Sequence, residues 1–97
     1  MDMQKVREDF PILKTRQHGH PLIYLDNAAT MQMPYPVQAK ILEHYQNCNA
    51  NVHRGVHSLS QRSTDAMEAA RQTVAQFIGA SADEVIFTAG TTDSINQ

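Results

Sequence analysis

Ninety-seven residues, 41% hydrophobic and 19% charged with a formal net charge of −2, fit a globular chain of one small domain's size. No apolar run approaches the roughly 20 residues of a membrane span, the charged start MDMQKVREDF lacks the apolar core of an export signal, and no basic stripe offers itself to nucleic acid. A single cysteine, Cys48, excludes an internal disulfide and points to a reducing compartment.

In chain order, MQKVREDF predicts a short helix that ends before Pro11, because proline disfavours helical geometry in the residue it follows. QHGHP reads as a turn centred on Gly19, leaving His18 and His20 exposed. Leu22 to Asp26 (LIYLD) has the Ile, Tyr and Leu content of a short strand. Pro36 suits the first position of a helix to about Gln46, with Val37, Ile41, Leu42 and Tyr45 on one face. NCNANVHRGVH is an aperiodic polar break. After it, Ser58 or Ser60 can cap a long helix to Ile78, stopped by Gly79. Leu59, Ala66, Ala70, Val74, Phe77 and Ile78 form its expected buried stripe. EVIFT (84–88) reads as a second strand, and Thr92 or Asp93 can cap a final helical turn. The order is that of an α/β chain, mostly helical, with short strands near 22–25 and 84–88.

Three stretches can carry chemistry. At Gly90-Thr91-Thr92-Asp93, glycine allows a sharp turn from strand to helix. The first N–H groups of the helix are then free, and two threonine hydroxyls add donors suited to a phosphate. The same residues equally suit a plain helix cap. In NVHRGVH, His53 can titrate or stack on a flat ring, Arg54 offers a fork for a carboxylate or phosphate, and Gly55 lets the loop fold closely. A solvated loop, or a metal pair from His53 and His57, also fits the pattern, although Gly55 opposes the helix such a pair would need. In YLDNAAT, Asp26 and Asn27 can form a local turn that leaves Ala28 and Ala29 as low walls. Cys48 is reactive only if its thiol is acidified by neighbours such as His44, His53 or Arg54.

Taken in order, FPIL with PLIYLDNAAT, then NANVHRGVHSLSQRSTDAMEAAR, then EVIFTAGTTDSIN resemble the amino-terminal part of a SufS-type (group II) cysteine desulfurase, within the class V aminotransferase group of pyridoxal-phosphate enzymes. The resemblance runs from about Phe10 to Asn96, and NVHRGVHSLS is its most specific block. It implies a fold-type-I homodimer in the cytoplasm that uses pyridoxal 5′-phosphate to convert L-cysteine to L-alanine. The sulfur leaves as a persulfide, passed to an acceptor protein for iron–sulfur cluster assembly.

By the resemblance, Thr91 and Thr92 hold the cofactor phosphate, Ala28 and Ala29 line the substrate side, and His53 and Arg54 stand at the active-site mouth. Residues 10–57 correspond to the small domain and mouth, and 58–97 to the start of the large cofactor-binding domain. The family's cofactor lysine and persulfide cysteine match nothing here. Lys5, Lys14, Lys40 and Cys48 stand elsewhere, so the chain reads as an inactive front quarter of a larger enzyme, with no metal site. A selenocysteine lyase or another class V enzyme shares most of these features. A non-enzymatic binding module is the reading from a different class, and it predicts a stable, monodisperse 97-residue protein.

Overall fold

A computed structural model describes residues 1–97. They gather into two compact units, Met1–Asn47 and Cys48–Gln97, where length alone suggests one. In the first unit, α1 (Met3–Glu8) starts where the Asp2 carboxylate accepts the Gln4 N–H at 3.0 Å. A 3₁₀ turn (Pro11–Lys14) follows and leads into a hairpin of β1 (Arg16–Gln17) and β2 (His20–Pro21). The register pairs Gln17 with His20, leaving a two-residue turn in which His18 (φ 51°) and Gly19 (φ 80°) are both left-handed. That is the backbone twist a tight hairpin requires. Helix α2 (Tyr35–Asn47) is tied to the end of α1 by the Tyr35 N–H donating to the Asp9 carbonyl at 2.6 Å. Pro36 stands second rather than first in it, and the expected inner face of Val37, Ile41, Leu42 and Tyr45 is exposed.

The second unit is built on α3 (Ser58–Ile78), with a 3₁₀ turn (Ala82–Glu84) and α4 (Thr91–Asn96) beyond it. Gly79 ends α3 in the left-handed conformation at φ 73°, as its position predicts. The start departs from expectation. The cap is His57, whose Nδ1 accepts the Ser60 N–H at 3.3 Å, and not Ser58 or Ser60.

The covered face of α3 is also not the apolar one. Ser60, Ser63 and Ala75 are buried and Thr64, Met67 and Arg71 half-buried, whereas Leu59, Ala66, Ala70, Val74, Phe77 and Ile78 are exposed. The two faces lie about 100° apart, one residue's rotation. Polar side chains win the covered face because the segments beside it, 48–55 and 80–88, need partners for their backbone groups.

The expected strands at 22–26 and 84–88 do not form. Glu84 closes the 3₁₀ turn, Val85 is extended, and beyond the Leu22 N–H, which donates to the Thr15 carbonyl at 3.1 Å, no partner strand runs beside either segment. A strand needs a neighbour to receive its N–H and C=O groups, and the hairpin is the only ladder in the chain. No helix is long and apolar enough to cross a membrane.

Candidate functional site

The 88–93 corner divides structural work from free donors. Gly90 caps α4 with no side-chain hydrogen bond. Its φ of 163° is ordinary extended backbone and a Cβ there meets nothing within 4 Å, so the turn does not depend on glycine as its sequence suggests. Three other side chains fasten the corner. Asp93 Oδ2 accepts the Ala89 N–H at 3.1 Å, Ser94 Oγ donates to the Gly90 carbonyl at 3.1 Å, and Thr88 Oγ1 meets Ser94 Oγ at 2.6 Å. The hydroxyls of Thr91 and Thr92 take no part, and neither residue caps α4. With Gly90, Asp93 and Asn96 they line an open recess of about 460 Å³. The first-turn N–H groups of α4 have no preceding turn to bond, so donors and dipole face the same way.

The polar face of α3 organises the loop 48–57. Ser63 Oγ donates to the Cys48 carbonyl, and Ser60 Oγ donates to the Asn51 carbonyl at 2.6 Å. Ser60 Oγ also accepts the Gly55 N–H at 3.1 Å, and Thr64 Oγ1 accepts the His53 N–H at 3.0 Å. These bonds hold His53 at φ 60°, a left-handed geometry uncommon away from glycine. His53 Nε2 lies 3.1 Å from Glu68 Oε1, while Glu68 Oε2 accepts from Arg71 Nε at 3.2 Å. Arg71 Nη1 donates to the Val85 carbonyl, and its guanidinium lies 5.4 Å from the Phe87 ring centroid.

Arg54 is exposed and makes no ion pair within the chain, so its fork is free for an incoming anion. His57 Nδ1 serves as a helix cap and His53 Nε2 meets Glu68, and no three potential metal ligands cluster in the chain.

Ala28 and Ala29 lie in the first unit, in a turn closed by the Asp26 carbonyl accepting from the Ala29 and Thr30 N–H groups at 3.2 and 3.1 Å. The backbone carbonyl of Asp26 closes it, and Tyr24 secures it by donating to the Thr30 carbonyl at 2.6 Å. Ala28 faces a recess of about 520 Å³ shared with Arg7, Phe10 and Tyr24, and Ala29 does not line it. Of the predicted residues, His53, Arg54, Thr91 and Thr92 thus share the second unit. Sequence reading took Ser60 only as a possible helix cap and missed Thr64, Glu68 and Arg71, although their spacing of four, four and three residues puts all four on one helical face.

Residues 23–97 match the family described as aminotransferase class-V. A probable cysteine desulfurase of Synechocystis sp. is 56% identical over 92 residues, covering 94% of this chain and 22% of the relative. Another from Streptomyces coelicolor is 52% identical over 98 residues, covering 99% of this chain and 23% of the relative. Among solved structures, the apo cysteine desulfurase from Thermococcus onnurineus NA1 superposes with a TM-score of 0.81 at 44% identity. The match covers 96% of this chain and 22% of that one. The α/β class of the fold-type-I transferases, expected from the sequence, therefore stands, although its two predicted strands are unpaired here. The chain spans under a quarter of the length of these relatives. Likeness across nearly all of its own length places the chain in the aminotransferase class-V family.

Proposed function

We propose that this segment works within a pyridoxal-phosphate-dependent cysteine desulfurase of the SufS type, a cytoplasmic homodimer. It converts L-cysteine to L-alanine and passes sulfur as a persulfide to an acceptor protein for iron–sulfur cluster assembly. The observation that carries this reading is 51–56% identity over nearly the whole chain to proteins named cysteine desulfurase or probable cysteine desulfurase. In this reading residues 58–97 begin the large cofactor-binding domain, and 10–57 supply small-domain and mouth segments.

The residues present fit one end of the cofactor. Two unengaged hydroxyls and free first-turn N–H groups suit its phosphate. Asp93, the nearby carboxylate, is drawn back onto the Ala89 N–H and the Gln97 side chain. Residues 48–97 contain no lysine, so nothing in this unit can join the cofactor's aldehyde. When bound, pyridoxal phosphate supplies an electron sink for bonds at the substrate's α-carbon. Here Thr91 and Thr92 anchor the phosphate, Arg54 presents a guanidinium to an anionic group at the mouth, and Ala28 and Ala29 keep the substrate wall low. The 97-residue chain alone turns over no cysteine.

A chimera tests the reading, with residues 1–97 replacing the matching segment of the Synechocystis relative. Cysteine-dependent alanine formation by the chimera is expected. Thr91→Val and Thr92→Val keep shape and delete one hydroxyl each. A hydrogen bond to a charged group contributes about 1.5–3 kcal/mol, so each should weaken pyridoxal-phosphate affinity roughly ten- to a hundredfold in an absorbance titration. Thr73→Val is the control, since the Thr73 hydroxyl only donates to the Ala69 carbonyl within α3. If both corner variants bind as tightly as the parent, the two hydroxyls do not hold the phosphate.

A further inference from the structure

We infer that Glu68 is a positioning residue that couples the His53–Arg54 loop to the segment leading into the Thr91–Thr92 corner. The inference rests on the proposed function for what those two segments do, and on geometry alone for how they are joined. One carboxylate reaches both. Its Oε1 meets the imidazole of His53 at 3.1 Å, and its Oε2 accepts from Arg71 at 3.2 Å. Arg71 carries the connection onward through the Val85 carbonyl and the face of Phe87, three residues before Gly90.

Each end is constrained. His53 is held left-handed by the Thr64 hydroxyl, and Val85, 7% exposed, is one of only two buried apolar residues in the chain. Arg71 is the less exposed of the two side chains that meet Glu68, 20% accessible against 53% for His53. The relay is therefore firmer at the Arg71 end, and Glu68 sets how closely the looser His53 loop follows it. An i, i+3 pair on a helix surface ordinarily serves the helix alone. Here both members turn their remaining bonding capacity onto different neighbouring segments.

Hydrogen exchange on the chimera described above provides the test, read at the amides of His53, Gly55 and Val85, all of which have acceptors within the chain. Glu68→Ala should speed exchange about three- to fivefold in both segments, the upper part of the range for a partly exposed ion pair. Glu68→Gln keeps the shape, its carbonyl accepting from Arg71 and its amide NH2 donating to His53 Nε2 where that nitrogen is the ring's acceptor, and should restore most of the protection. Asp65→Ala is the control, since Asp65 is exposed and accepts only from Gln61. In turnover, a looser mouth loop presents Arg54 less well and weakens binding alone, so KM for cysteine should rise about three- to tenfold with kcat little changed. Simple unfolding instead lowers the active fraction at constant KM. Faster exchange confined to one segment, or equally present in Asp65→Ala, overturns the coupling. A chimera that makes no alanine counts against the proposed function, and the exchange result still decides the relay.

Discussion

Replacing Gly55 by alanine places a methyl group 2.7 Å from both Cβ and Oγ of Ser60 and 3.1 Å from Nε2 of His57. Ser60 Cβ cannot yield. It is fixed to the first turn of α3, and the residue is 1% exposed. Rotating the hydroxyl away would abandon its bonds to the Asn51 carbonyl and the Gly55 N–H. Overpacking of this kind costs about 1–3 kcal/mol, and a lost hydrogen bond about 1 kcal/mol. Against this, alanine restricts the unfolded chain and returns about 0.4–1 kcal/mol. The net loss is about 2 kcal/mol, a roughly thirtyfold rise in the open population of the loop.

The Arg54–Gly55 bond makes that population measurable, because trypsin cleaves after arginine and cleavage follows the open fraction when opening is fast. Rates at this bond, normalised to matched loop peptides, should rise about thirtyfold for Gly55→Ala in the chimera. Gly90→Ala is the contrasting variant, since its added Cβ meets open space on extended backbone and should leave cleavage unchanged. Cleavage of Gly55→Ala within about threefold of the parent would refute the packing argument, since that is under 1 kcal/mol.

Ser63→Ala removes a 2% exposed hydroxyl that donates to the Cys48 carbonyl, and should lower stability by about 0.5–1.5 kcal/mol in chemical denaturation of the chimera. The Glu84 carboxyl is held below its ordinary pKa, first by the Ser81 N–H at 2.9 Å and then by the Ser81 hydroxyl at 2.7 Å. A depressed folded pKa means that this turn's stabilisation is present above the unfolded value and lost as pH falls through the folded one. An NMR titration should therefore show Glu84 titrating below an unstructured glutamate, with part of the shift lost in Ser81→Ala. Studied alone, the 97-residue chain should self-associate through exposed Phe77, Ile78 and Ile86, and Phe77→Glu should reduce this in light scattering. A monodisperse monomer would contradict that expectation and favour the binding-module reading.

The local signals in the sequence were sufficient wherever one residue's chemistry decides its own backbone. Pro11 follows the end of α1, Gly79 ends α3, and His18-Gly19 makes the hairpin turn, each through near-neighbour sterics. The extent of α3 was legible from its period, and the class V aminotransferase family from PLIYLDNAAT, NVHRGVHSLS and EVIFTAGTTD taken together. The partners were not legible. Apolar periodicity marks a helical face suited to burial, but it cannot say which segment arrives or what that segment needs. On α3 the arriving backbone, 48–55 and 80–88, brings unpaired N–H and C=O groups, so Ser60, Ser63, Thr64 and Arg71 form the covered face. The same reason governs the unformed strands at 22–26 and 84–88, because a ladder is a property of two segments. It governs Glu68 as well. Its sequence position shows an ordinary surface helix residue, and only folding brings His53 and Arg71, fifteen and three residues away, to the two oxygens of one carboxylate.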